Sequence, residues 1–160
     1  MGHEFSSIFE LREIYRMKDE LSYKESALSK PALADYSLLP QIYKLFSEEC
    51  IHESRISVTD RMKFIFIALF LYAPSSLAGR KMPDGLRAAL SSLFPSLSPC
   101  VLSNNKKQTV FFYEIYKRYG EELDAAYRKI IQGLDGIEKT DGNPHRTEYV
   151  AVQLPFVFDE

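Results

Sequence analysis

Between Ser103 and Thr109 the chain reads Ser-Asn-Asn-Lys-Lys-Gln-Thr, seven polar residues in succession. Asn and Gln can hold an adenine edge through paired hydrogen bonds, and Lys can donate to guanine or to phosphate. A helix packed on one side shows an apolar residue every three or four positions. None occurs here before Val110, so this stretch is expected to project with most of its circumference in solvent. Local charge agrees. From Gly79 to Arg118, the cations Arg80, Lys81, Arg87, Lys106, Lys107, Lys117 and Arg118 face only Asp84 and Glu114, a local +5 in a chain of net charge −2. A basic region on an otherwise acidic molecule supplies the phosphate attraction that dominates nucleic-acid affinity. The expected DNA-contacting set is Ser103, Asn104, Asn105, Lys106, Lys107 and Gln108, with Arg80, Lys81 and Arg87 on phosphates.

Two helices must position these side chains. The first starts near Pro83 and shows Leu86, Ala89, Leu90, Leu93 and Phe94 as its apolar face. Pro95 ends it. Ser98 is a helix cap with Pro99 in the first turn, where proline is tolerated. A second helix then runs to about Tyr119, and Gly120 is a natural stop. Residues 83–119 resemble a helix-turn-helix: a short helix, the link Pro95-Ser96-Leu97, then a capped helix beginning Ser98-Pro99-Cys100-Val101-Leu102. The resemblance implies that Leu97 packs beneath both helices and that the second helix enters a DNA groove. The sequence departs from the pattern in lacking the turn glycine, and the link is about one residue longer than the tightest form.

Other constellations point to no catalysis. Glu48, Glu49, Cys50, His52 and Glu53 are ligand types, but a zinc site needs a second ligand pair at a defined spacing. His3 and His145 lie far from them in sequence. No Gly-x-Gly-x-x-Gly, Walker or Gly-x-Ser-x-Gly motif occurs. Glu121, Glu122 and Asp124 read as acids at a helix start, where the helix dipole favours them. Phe111, Phe112, Ile115 and Tyr119 are expected in the core, and Tyr113 and Tyr116 at the surface. Neither a cofactor nor a metal is expected. In the tail, Val150, Val152, Leu154, Phe156 and Phe158 alternate as a strand does, and Pro155 confines such a strand to an edge. That segment suits docking on a protein partner or on a second copy of the chain.

The chain of 160 residues is 46% hydrophobic and 26% charged, which are ordinary values for one globular domain. Two cysteines outside any Cys-x-x-Cys pair fit a reducing compartment. Met1 to Glu20 carries charges throughout and shows no secretory signal. The longest apolar run, Phe64 to Tyr72, is too short for a membrane span. A cytoplasmic location is therefore expected.

The expected fold is mostly α: a compact bundle of about six helices in residues 1–134, then a turn-rich link and extended or β tail in 135–160. The first helix, about Phe5 to Ala27, should bury a stripe of Ile8, Leu11, Ile14, Tyr15 and Leu21. Ser57 and Asp60 should open a central helix, surrounded on every side. The last helix should run from about Glu121 to Gln132. As a whole the chain also resembles small helical proteins of phages and mobile elements, through Phe64–Pro74, Leu77-Ala78-Gly79 and Phe111-Phe112-Tyr113. The function expected is a small double-stranded-DNA-binding protein with a regulatory role. The rival reading is a non-enzymatic structural or interaction module that works through its tail.

Overall fold

The structure, a computed structural model, describes residues 4–50 and 55–141. They form α1 (Ser6–Leu28), a 3-10 turn (Tyr36–Leu38), α2 (Leu39–Cys50), α3 (Val58–Tyr72), α4 (Pro74–Leu77), α5 (Asp84–Leu93), α6 (Pro99–Ile115) and α7 (Lys117–Asp141). Among the described residues there is no strand, and no helix is long and apolar enough to cross a membrane. The strand expected at 150–158 lies outside them. Internal contacts divide the chain into two units, residues 1–30 and 31–160.

The first unit is α1. Arg16 is held by Glu13, one turn before it, and by Glu20, one turn after it, at 2.7 Å for the latter. Such pairs stabilise a helix surface modestly. The stripe expected to be buried is not: every residue from Ser6 to Leu28 is exposed. Ile8, Leu11 and Tyr15 share one line, and Ile14, Met17, Leu21 and Leu28 lie about a third of a turn around the helix.

The second unit is built around α3. Ser57 accepts from the Asp60 amide at 3.0 Å and donates to the Asp60 carboxylate at 2.8 Å, closing the N-terminus. Met62, Phe64, Ile65, Ile67, Ala68, Leu69, Leu71 and Tyr72 are buried, so α3 is the central helix its all-round apolarity predicts. Ile42 and Phe46 of α2, Leu86 and Leu90 of α5, Leu102 of α6 and Ile130 of α7 close over it. The segment before α2 is tied down by the Leu33 amide on the Leu71 carbonyl at 2.9 Å and by the Tyr72 hydroxyl on the Asp35 carbonyl at 2.7 Å.

Two boundaries differ from those the sequence predicts. The break after α6 falls at Tyr116, in extended backbone, and not at Gly120. Any residue can adopt that conformation, so no glycine was needed. α7 then runs through Gly120, Gly133 and Gly136. Each helical glycine costs about 1 kcal/mol against alanine. The inward series Tyr119, Leu123, Ala126, Tyr127, Ile130 and Leu134 recurs every three or four residues and offsets that cost.

Gly133 has a positive reason to be there. A Cβ on it would stand 2.7 Å and 2.9 Å from the two methyl carbons of Leu45 on α2. The absence of a side chain lets α7 approach α2, and the Lys129–Glu49 ion pair at 2.8 Å spans the same seam. Gly133→Leu is expected to wedge this seam and lower stability by about 2 kcal/mol, read as a drop in the denaturant midpoint at unchanged slope.

Candidate nucleic-acid interface

The basic cluster is positioned by the end of α4. Gly79 has φ +108°, a conformation that disfavours residues with a Cβ. It allows the Gly79 amide to donate to the Ser76 carbonyl at 3.4 Å and the Arg80 amide to the Ser75 carbonyl at 3.1 Å. These are the two bonds of a Schellman stop. The chain leaves this stop with Arg80 exposed, and Met82, 3% exposed, pins the next residues to the core. The carbonyl of Arg80 is thereby presented to α6, where it accepts from the Lys106 ammonium at 3.0 Å.

α6 begins as predicted. Ser98 accepts from the Val101 amide at 3.3 Å, and Pro99 occupies the first turn. The helix is supported chiefly by α3, α7 and α4, while α5 lies on α2 and the 3-10 turn. Leu97, in the link, is half-buried against the common core.

The inward line of α6 is Leu102, Asn105 and Thr109, all buried. This overturns the expectation that the polar stretch 103–109 stands mostly in solvent. Polar side chains occupy two core-facing positions, so counting apolar residues missed the buried face. The Thr109 and Tyr119 hydroxyls are hydrogen-bonded to each other at 2.6 Å. Asn105 is only 4% exposed, and its side-chain amide nitrogen has no hydrogen-bond partner. Asn105 therefore cannot read a base edge from this position. Thr109→Val is expected to strand the Tyr119 hydroxyl in the core and cost about 1–3 kcal/mol, measured by chemical denaturation.

Asn104, Lys107 and Gln108 are exposed on the outward face of α6, and Ser103 is half-buried at its flank. Lys106 is half-buried, and burial pushes its ammonium below the usual lysine range, with Lys107 and Arg87 adding repulsion. Arg87, on α5, has a buried Nε without a hydrogen-bond partner. Lys81 instead leans on Asp84 at 3.8 Å. The segment after α4 is thus tied to α6 through Lys106, whose ammonium also feels the charges of Lys107 and Arg87.

Sequence reasoning misplaced part of the C-terminal half of α6. Phe111 and Ile115 are 51% and 55% exposed, although a core position was expected for both. They fall on the same outward face as Asn104 and Gln108, one helical repeat further on. Tyr113, expected at the surface, is half-buried, its ring 5.1 Å from that of Phe66. Tyr116 is exposed and Tyr119 buried, as expected.

The acids after Gly120 do not open a helix, since α7 starts at Lys117. Glu122 is used instead as a tertiary anchor. It pairs with the half-buried Lys63 of α3 and accepts from Arg118 at 3.1 Å. The bond from Lys63 is the main reason its carboxyl is held below the ordinary range.

Glu49, from the ligand-type cluster, is engaged by Lys129, while His52 and Glu53 lie outside the described residues. Among the described residues no three His, Cys, Asp or Glu side chains are grouped to hold a metal ion. Cys100 is a free, exposed thiol at the start of α6. The expected docking residues Val150, Val152, Leu154, Phe156 and Phe158 also lie outside the described residues. No protein-family model, curated protein or solved structure matches this chain.

Proposed function

We propose that this chain is a non-catalytic, double-stranded-DNA-binding protein with a regulatory role, and that α5 and α6 work as a helix-turn-helix. Asn104 and Gln108 meet base edges, while Lys107, Arg80 and Arg87 meet the flanking phosphates. Lys106 holds the Arg80 segment against α6 and adds its charge to the field. The single observation that carries this reading is the bond from the Lys106 ammonium to the Arg80 carbonyl, which ties the basic segment after α4 to the helix whose outward face is polar. A 17-residue helix of this kind is long enough to lie across a major groove. The direct test is fluorescence anisotropy of a labelled duplex over a salt series. Affinity should fall with a logarithmic slope of about −2 to −4, as expected for two to four phosphate contacts. Absence of binding even at low salt would overturn the proposal.

A second reading is favoured by Phe111, Ile115 and Tyr116, which leave an exposed apolar end on α6. Here the chain is a protein-interaction module in a cytoplasmic assembly of a phage or mobile element, and the polar half of the face is its solvated rim. The tail expected to dock on a partner or second copy belongs to this reading. It predicts that Phe111→Ser abolishes partner binding and leaves any DNA affinity unchanged.

A further inference from the structure

A separate feature lies where α3, α6 and α7 meet. A shallow, open cleft with a cavity volume of about 30 Å³ is lined by Phe66, Ile67, Phe70, Tyr113, Asp124 and Tyr127. Phe66 and Phe70 stand one turn apart on α3. The Phe66 and Tyr113 rings are 5.1 Å apart and inclined at 34°, and the Phe70 and Tyr127 rings are 5.4 Å apart and nearly perpendicular. The lining of this cleft therefore combines four aromatic rings with one carboxylate.

The carboxylate is the anomaly. Asp124 lies seven residues into α7, beyond the first turn where a helix dipole stabilises an acid. Among the described residues nothing hydrogen-bonds to it, and only Arg128, one turn on, offsets the burial that pushes its carboxyl upward. Burial raises the Tyr113 hydroxyl too, and the Asp124 charge adds to this. An acid placed so costs the fold stability while it is ionised.

The chemistry of the lining selects the ligand. Aromatic faces carry negative potential and attract cations within about 6 Å of their centres. A hard metal ion needs several oxygen ligands, and a single carboxylate does not provide them. An organic cation needs only the rings and one counter-charge. We propose that this cleft binds an ammonium or guanidinium head group, carried by a free amine or by a lysine or arginine side chain of a partner protein. None of the lining residues belongs to the basic cluster, so the inference stands apart from the nucleic-acid reading.

The test uses the full chain, with tetramethylammonium chloride as probe and sodium chloride at equal ionic strength as control, followed by NMR of the aromatic resonances. Tetramethylammonium should shift the Phe66, Phe70, Tyr113 and Tyr127 signals saturably, and sodium should not. Asp124→Asn keeps the side chain's shape, so it should weaken binding about tenfold or more. The same substitution should raise the melting temperature at neutral pH and leave it nearly unchanged in acid. The sign follows from linkage: a carboxyl with a raised folded-state pKa destabilises the fold as pH rises through that value. A short lysine or arginine peptide separates the two sources, since tighter binding than the capped amino acid assigns a protein side chain, and equal binding a free amine. Equal shifts with sodium, or undiminished binding by Asp124→Asn, would overturn the proposal.

Discussion

Replacing Lys106 and Lys107 together by alanine is expected to weaken duplex binding roughly hundredfold at about 0.1 M salt, and to flatten the salt slope by about two. The size follows from counter-ion release, in which each lost phosphate contact removes about 0.9 from the slope. Lys106 acts twice. Its ammonium contributes charge, and its bond to the Arg80 carbonyl holds the segment that carries a second cation. Lys107 is exposed and contributes charge alone. The two single variants should therefore differ, with Lys106→Ala the more severe. Lys106→Arg should keep much of the affinity, because a guanidinium retains the charge and can still donate to the carbonyl. Anisotropy titrations of the four variants at two salt concentrations check this. Equal, small losses would remove Lys106 from its positioning role.

Phe64→Ala should be the most damaging single change to the fold. Phe64 is fully buried at the centre of α3. Its ring lies 5.0 Å from that of Tyr43, 5.5 Å from Phe46 and 5.9 Å from Phe94, and Tyr43 and Phe94 also meet edge-on at 5.5 Å. Four rings from α2, α3 and the end of α5 are thus joined through one residue. Truncation removes the transfer energy and leaves a void that fixed neighbours cannot fill, at a cost of about 3–5 kcal/mol. That approaches the whole stability of an ordinary domain. The melting temperature should fall by about 10–15 °C, followed by tyrosine fluorescence, since the chain has no tryptophan. A loss below about 1 kcal/mol would mean that the ring cluster is not the keystone described.

The helices most legible in the sequence were those with chemical punctuation. Ser57 with Asp60 and Ser98 with Pro99 each supply a group that only a helix end requires, and each stands at a helix end. The run Phe64–Tyr72 identified the central helix because no face of it tolerates water. What stayed hidden depends on tertiary packing. Tyr116 breaks the chain through backbone angles open to any residue. Gly133 continues a helix because Leu45 leaves no room for a Cβ, a fact with no local trace.

The candidate site divides in the same way. Local composition marked Asn104, Lys107 and Gln108 and the neighbouring arginines as surface chemistry, and those side chains are outward or at the flank. It could not reveal that Asn105 and Thr109 face the core, because polarity normally marks the outside and here a tyrosine hydroxyl accommodates one of them. The aromatic cleft did leave a signal. Phe66 and Phe70 repeat at i, i+4, as nearly do Asp124 and Tyr127, but neither pair announces that the two helices meet.

The proposed contact of DNA with the outward face of α6 and its basic flank can be followed residue by residue, by amide chemical-shift mapping during titration with a short duplex at low salt. The largest changes should fall between Cys100 and Phe111, and at Arg80, Lys81 and Arg87, while the amides along α2 stay still. Changes confined to other elements, or none at saturating duplex, would overturn the proposal.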